Sequence, residues 1–472
     1  MQRLRGGLKG LTGAVLLMTA ATAAQAAPIT GAPYWQASDS KDTEAYVEVP
    51  MPPGIKVVPT ELEGPVFATA EGKTIYNWAL SGLRNGSAGD RRNSGIATCD
   101  GTLYTESSGL MSPYPGGFTL PEVDKRKSCE QLWPPVLAPE DAKPVGKWTL
   151  VKRTNGQSQW AYDGYPVYTS SLDHKQGDVL GGSNAMAGGE RGVARNPIGP
   201  PPDVPPELAV QPMRTGHLLI DHKGYSVYSS DADEPGKSNC SDKCLEEWAP
   251  VLAPQTAKER GEWTVIERTP GVKQWAYRGK ALYTYRQETR TRAVTGSDVP
   301  GWHNVYTQRA LLPPAEFTVQ DARVGQVLAD ANGKTIYFYS CSDDAIDQQA
   351  CDHPDAPQAY RMAICGDFDP KVCQETFPYV PAKPGAKADS SLWTVMSIDP
   401  NTGRRAEPGQ AGAMQVWAFR ERPVYTYGDD QKPGDANGDA YGEFNGWRNG
   451  FKAFWVRDDF RTNTLGKAPT DR

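Results

Sequence analysis

The stretch Gly224-Tyr-Ser-Val-Tyr228, followed by Cys244-Leu-Glu-Glu-Trp-Ala-Pro-Val-Leu-Ala-Pro254 and Gln274-Trp-Ala-Tyr277-Arg-Gly-Lys-Ala-Leu-Tyr283-Thr-Tyr285, decides how this chain is read. Apolar residues alternate with polar ones over short runs, and the runs break at glycine-containing turns. That is the signature of half-buried strands joined as β-hairpins. Two hairpins are expected here. In one, Gly216–Asp221 turns at Lys223-Gly224 into Tyr225–Tyr228; in the other, Trp275–Tyr277 turns at Arg278-Gly279 into Ala281–Tyr285. Helix-period stretches are scarce, and Cys244–Trp248 has room for one turn.

The same passage occurs twice more. Gly72-Lys-Thr-Ile-Tyr76 and Gly333-Lys-Thr-Ile-Tyr337 match Gly224–Tyr228, and each copy starts at a Pro-Pro pair: Pro52-Pro53, Pro205-Pro206 and Pro313-Pro314. From the second proline to the tyrosine the gaps are 23, 22 and 23 residues. Downstream, Cys129-Glu-Gln-Leu-Trp-Pro-Pro-Val-Leu-Ala-Pro139 aligns with Cys244–Pro254, and Cys373-Gln-Glu-Thr-Phe-Pro-Tyr-Val-Pro-Ala382 is the third copy. Trp148, Trp263 and Trp393 follow those cysteines by 19, 19 and 20 residues. Gln159-Trp-Ala-Tyr162, Gln274-Trp-Ala-Tyr277 and Val416-Trp-Ala-Phe419 come next, each Trp eight residues before another tyrosine: Tyr168, Tyr283 and Tyr425. A fixed internal register marks a repeat architecture. The expected fold is therefore all-β, with three tandem repeats of two β-hairpin units each. A half-repeat of about 50–60 residues suits a blade, and closure protects short edges, so a six-bladed propeller-like ring is preferred. Three β modules in a row are the alternative.

This register divides the chain. Repeat 1 spans 52–192 with an insertion at 82–127, repeat 2 spans 205–308, and repeat 3 spans 313–458 with an insertion at 342–372. A proline-rich linker, 193–204, separates the first two, an arm at 27–51 precedes them, and 459–472 is a C-terminal tail. Both insertions fall between the first hairpin and the shared cysteine, a place where binding specificity tends to reside on repeat scaffolds. Residues 1–26 read as a secretory signal peptide: Arg3, Arg5 and Lys9, an apolar run from Leu11 to Ala21, and Ala24-Gln25-Ala26 for cleavage. The expected location is periplasmic or extracellular. No cysteine occurs before Cys99, so no lipid-attachment cysteine follows the cleavage point, and no later stretch is apolar enough to span a bilayer.

Composition agrees with this reading. The 472 residues include 48 Gly, 40 Pro, 21 Tyr and 13 Trp, which favours turns and short aromatic strands over long helices. Mean hydropathy is −0.57, too polar for a polytopic membrane protein. Net charge is −6, and removal of the first 26 residues leaves 47 basic against 56 acidic side chains, or −9. That balance gives no electrostatic reason to bind nucleic acid. The eight cysteines are even in number, and neither C-x-x-C nor C-x-x-C-H is present, so an exported chain would use them as disulfides. Position in the repeats suggests Cys240–Cys244 and Cys99–Cys129; in repeat 3, Cys365–Cys373 with Cys341–Cys351 is favoured among three connectivities.

Taken together, the Gly-x-x-x-Tyr hairpins, the Cys-x3-Trp-x-Pro-Val-Leu-Ala-Pro segment and the Gln-Trp-Ala-Tyr-x-Gly segment resemble a bacterial family of secreted repeats of unknown function. That family is also described as predicted lipoproteins with a Tyr-x-aromatic-x-x-Asp motif. The resemblance covers most of 60–458 and is strongest over 214–305. Tyr425-Thr-Tyr427-Gly-Asp-Asp430 satisfies the short motif in full. Tyr168 and Tyr228 keep Asp173 and Asp233 but carry Ser170 and Ser230 at the aromatic position. Tyr283 has Glu288, and Tyr76 and Tyr337 have Ser81 and Ser342 in place of the acid. The resemblance implies an extracytoplasmic location and disulfides, and it lends no activity.

Candidate chemistry is sparse. The repeated Trp148, Trp160, Trp263 and Trp275 read as core rather than as a sugar-stacking platform. Tyr104 and Tyr114, inside the first insertion, are the ligand-binding candidates. Asp435, Asn437 and Asp439 offer oxygens at positions one, three and five of a calcium-type loop, but Ala440 and Gly446 stand where Gly and Glu would complete it. A solvated acidic turn is the plainer reading, and no other cofactor is implied. His217 and His222, five apart on a strand, point to opposite faces and are poor co-ligands. Gly-x-Ser-x-Gly and H-E-x-x-H are both absent. The leading expectation is an exported, non-catalytic envelope protein with a binding or scaffold role toward an envelope ligand or protein. Its rivals are a periplasmic redox or metal-handling protein and a carbohydrate-active enzyme.

Overall fold

A computed structural model describes residues 27–28, 43–83, 86–103, 127–181, 195–340, 359–442 and 450–457. The fold is all-β: antiparallel strands of two to seven residues, with four short α-helices among the described residues. The same construction occurs three times along the chain. A first hairpin pairs Ile55–Pro59 with Pro65–Thr69, Leu208–Met213 with Gly216–Asp221, and Thr318–Ala322 with Gly325–Ala329. A second pairs Trp148–Lys152 with Ser158–Tyr162, Trp263–Thr269 with Val272–Tyr277, and Trp393–Asp399 with Met414–Phe419.

The first hairpins differ from the sequence expectation. Gly216–Asp221 does not fold onto Tyr225–Tyr228; between them there is one bridge, Ile220 to Ser226. Its ladder partner is the upstream strand, with the turn at Arg214-Thr215. Gly216 makes the turn feasible: its φ is +125°, and a Cβ there would stand 2.2 Å from the Gln308 carbonyl oxygen. Two aromatic-rich runs were legible as strands, but which neighbour each selects depends on tertiary packing that pattern does not encode.

The short tyrosine strands released from the hairpins join the two halves. Tyr76 sits opposite Tyr168 and Tyr228 opposite Tyr283, while Tyr337 and Tyr425 form the corresponding bridge. A last strand returns to close each stretch. Trp302–Asn304 and Tyr306–Arg309 pair with Val227–Ser230 and Gly216–Asp221, and Gly450–Ala453 and Trp455–Arg457 do the same in the third stretch. In the first, Asn196–Pro197 pairs with Tyr76–Asn77, and Ile198 bonds across to Phe67 and Ile75. The Pro-Val-Leu-Ala segments, and Tyr379-Val-Pro-Ala382 in the third stretch, lie on the second hairpins through paired backbone bonds of Val136, Val251 and Val380. The halves are thus fused at the tyrosine strands; they do not stand apart as blades.

The repeated tryptophans fill the space between the hairpins. Trp148, Trp160, Trp263 and Trp275 are 0, 4, 2 and 4% exposed, and edge-to-face contacts link Trp148 to Trp160 and Trp263 to Trp275. Burial of such rings is the dominant favourable term for strands this short.

All three stretches touch one another, and the turn Thr60–Gly64 is where they meet. Leu62 packs into the core of the third stretch beside Phe317 and Leu328. The Glu61 carboxylate accepts bonds from Ser390 and Ser391, and Glu63 pairs with the buried Arg420, which also donates to the Val179 carbonyl. On the other side, Gln308 of the second stretch donates to the Thr60 and Glu61 carbonyls at 2.8 and 3.1 Å. Arg214 of the second stretch donates to the Trp455 carbonyl and lies over the rings of Phe338, Phe454 and Trp455. Among the described residues no helix is long and apolar enough to cross a membrane.

Candidate functional site

The chemistry-bearing residues that the fold gathers are the tyrosines of the central strands and the acids near them. All six tyrosines have no exposed surface. Five of them donate to an acid, and that acid comes from the opposite half. Tyr76 donates to Asp173 at 3.0 Å, and Tyr168 donates to Asp90 at 2.9 Å. Tyr228 donates to Glu288, Tyr283 to Asp233 at 2.8 Å, and Tyr337 to Asp430 at 2.6 Å. The acid five residues after a tyrosine therefore serves the tyrosine across the strand pair rather than its own. In the first stretch, where Ser81 occupies the expected acid position, Asp90 from further along the chain supplies the carboxylate.

Each acid also closes a loop. Asp173 accepts the Leu180 N–H, Asp430 the Asn437 N–H, Asp233 the Asn239 N–H and Asp90 the Thr98 N–H, at 2.7–2.9 Å. Glu288 takes the equivalent position toward the Gly296 N–H at 3.4 Å. Then a glycine passes beneath the tyrosine. Gly181, Gly296 and Gly438 each lie eight residues after the acid and direct their N–H at a phenol oxygen, at 3.2–3.4 Å. A Cβ on Gly296 would stand 2.7 Å from the Tyr228 ring and 2.8 Å from Trp248; one on Gly181 would stand 2.7 Å from Trp133. In the other half, Cys99 and Cys240 follow the acid loops, and their pairings to Cys129 and Cys244 tie the loop to the short helix carrying the aromatic residue. The Cα–Cα separations are 5.3 Å in both, and Cys365–Cys373 is at 4.6 Å.

Around this centre the aromatic of the Cys-x3-Trp segment is clamped between two groups. Tyr76, Tyr228 and Tyr337 meet Trp133, Trp248 and Phe377 edge-on, at 5.4, 5.3 and 5.9 Å between centroids. On the flat side lies a planar group from the closing strand: Trp302 stacks on Trp248 at 3.6 Å, Phe451 on Phe377 at 3.5 Å, and the Arg195 guanidinium sits 4.6 Å from the Trp133 ring. One structural position thus accepts Trp, Phe or Arg, because all three present a flat polarisable face.

The electrostatics are those of a sealed interior. Burial above all, together with the facing acid, pushes Tyr76, Tyr168, Tyr228 and Tyr337 above the ordinary phenol range, and Tyr283 up to about 12. Burial likewise raises Asp90 and Asp430, and carries Asp173 up to about 7 against the opposing pull of the Leu180 N–H and Tyr76. A phenol this hard to ionise donates to an acid that already holds a backbone N–H, so each pair is a buried hydrogen-bonded unit inside the fold.

The remaining sequence candidates fall as follows. Tyr104 and Tyr114 lie outside the described residues, as do Cys341, Cys351, His353 and residues 1–26. Asp435 accepts the Gln431 and Lys432 N–H groups, and Asp439 accepts the Ala453 N–H at 2.9 Å. Burial raises Asp439, while Lys452, Arg323 and Arg214 act in the opposite direction, so chain cations already neighbour the acidic turn. Among the described residues no group of three or more His, Cys, Asp or Glu is gathered to hold a metal. His217 is buried within the strand Gly216–Asp221, and His222 is exposed in the turn that follows it.

The glycine eight residues past the acid was the readable signal that pairing by motif missed. It recurs as Asp173/Gly181, Glu288/Gly296 and Asp430/Gly438. Two segments of the chain match a family model described as a secreted repeat of unknown function. They are residues 149–188 and 409–448. Each secreted-repeat match runs from the second hairpin through its tyrosine to the acid and glycine, the unit that the structure shows as one half of a stretch. No curated protein and no solved structure matches the chain.

Proposed function

We propose that the protein is an exported, non-catalytic envelope protein in which three β repeats form a rigid scaffold and the sequence excursions between their shared elements carry the binding surface. The observation that supports this most directly is the commitment of five of the six repeated tyrosines to acids inside the fold, where each phenol and carboxylate faces the other. What differs between the repeats is the excursions, and the first of these, 82–127, includes the segment 104–126 that Cys99 and Cys129 bracket. Export agrees with the secreted-repeat matches and with three cysteine pairs at disulfide distance.

The test compares the full chain with a variant in which 104–126 is replaced by a short Gly-Ser link between the same cysteines. Retention of each on isolated cell-envelope fractions is measured, with the unfolding midpoint as a control. The expected result is an unfolding midpoint within a few degrees and at least tenfold weaker retention. Release of product from envelope polysaccharides that is abolished by Asp430→Asn in a folded variant would replace this reading with an enzymatic one.

A further inference from the structure

The seam between the beginning of the described chain and the second stretch contains an ion pair away from the tyrosine centres. His217 Nδ1 lies 2.9 Å from Glu44 Oε2, and their side chains are 7 and 6% exposed. Thr307 donates to the same Glu44 oxygen, and the Glu44 N–H donates to Gln308 Oε1 at 3.1 Å. Gln308 in turn holds the Thr60 and Glu61 carbonyls. Gly64 closes the cage from above: its φ is +67°, and a Cβ there would lie 2.8 Å from the imidazole.

We propose that Glu44, His217 and Thr307 form a pH-sensitive clasp that fastens the 43–64 segment onto the second stretch, closed when the imidazole carries its proton. The charged groups facing it are Glu44 from the N-terminal segment, Glu63 from the Thr60–Gly64 turn, and Arg420 of the third stretch, which is paired to Glu63. Glu61 is turned away to Ser390 and Ser391, and Arg309 on the neighbouring strand donates to the Asn304 carbonyl.

Burial, the largest influence on His217, by itself disfavours the proton. The Glu44 hydrogen bond and charge, Glu63 and the Leu62 backbone outweigh it, and the net direction is upward. A histidine raised in the folded state contributes stability that is fully present below its unfolded value of about 6.5 and is lost as pH rises through the folded value. The clasp is therefore tight in mild acid and loosens on the alkaline side.

The proposal is tested on the full chain by two measurements. In the first, ¹³C-histidine NMR follows the His217 ring, assigned by its disappearance in His217→Gln. A titration midpoint above 6.5 is expected, and one at or below 6.5 overturns the proposal without reference to any variant's stability. In the second, amide hydrogen exchange, corrected for intrinsic rates, is followed over 43–64 between pH 5.5 and 9. The opening constant should rise by about tenfold for each unit by which the folded pKa exceeds the unfolded one. His217→Gln, or Glu44→Gln if that variant folds poorly, should be open already at pH 5.5 and show no further rise. An equal pH dependence in wild type and variants overturns the clasp.

Discussion

The second and third stretches share a backbone and differ in how they fill the same interior corner. In the second, Arg268 donates to Gln274 Oε1 at 2.7 Å and to the Cys240 carbonyl, and Gln274 Nε2 donates to the Leu282 carbonyl at 2.7 Å. The first stretch repeats this with Arg153, Gln159, the Cys99 carbonyl and Val167. The third stretch has Ile398 and Val416 at the corresponding positions, both fully buried. Arginine and glutamine have been exchanged together for two apolar residues, with the strand register kept. The third stretch still buries an arginine, Arg361, but brings it from the helix Ala359–Gly366 to the Cys373 sulfur and the Tyr379 hydroxyl. The arginine and glutamine of this corner are hydrogen-bonded to each other, and the pair is either present together or replaced together by apolar residues.

The largest effect that would break this equivalence is at the clamped aromatic. Trp248→Ala and Phe377→Ala should each cost about 3–5 kcal/mol in denaturant unfolding, whereas Trp248→Phe, which makes the second stretch like the third, should cost less than about 1.5 kcal/mol. A cheap Phe377→Ala beside a costly Trp248→Ala would mean that the two positions are not equivalent.

The next effect is a pH slope. Asp173, raised mainly by burial to about 7, contributes stability that is present below the ordinary aspartate value and is lost as pH climbs through about 7. Stability should therefore fall between about pH 4 and 7, and Asp173→Asn should flatten that slope. An unchanged slope would show that Asp173 ionises without cost in the folded chain.

Smaller again is the polar corner itself. Gln274→Val alone should cost about 1–3 kcal/mol by removing one of the Arg268 guanidinium's acceptors and leaving the Leu282 carbonyl without its amide donor, and Arg268→Ile added to it should restore part of that loss. Additive costs in the double variant would contradict the view that the third stretch is the apolar version of the second.

Much of this was legible in the sequence, for identifiable reasons. The glycine turns and the alternation mark Trp275–Tyr277 as strand and the repeated tryptophans as core, but the expected hairpin onto Ala281–Tyr285 holds for only two pairs, and the main partner is the upstream Trp263–Thr269. The acid partners were not legible. A carboxylate five residues after Tyr228 looks local, yet the antiparallel pairing of Tyr228 with Tyr283 carries Asp233 to the neighbour. Where local spacing fails, as at Ser81, Asp90 restores the contact from nine residues further on. The position shared by Arg195, Trp302 and Phe451 has no common residue type at all, and only the common strand pairing shows that they are equivalent.

The central claim is that the tyrosine–acid pairs are exchanged between halves and hold each stretch together. A double-mutant cycle between Tyr228→Phe and Glu288→Gln tests it most directly, set beside the cycle between Tyr228→Phe and Asp233→Asn. The exchanged pair, Tyr228 with Glu288, should couple by about 1–3 kcal/mol, and Tyr228 with Asp233 by clearly less. Equal coupling, or stronger coupling of Tyr228 to Asp233, would contradict the exchange.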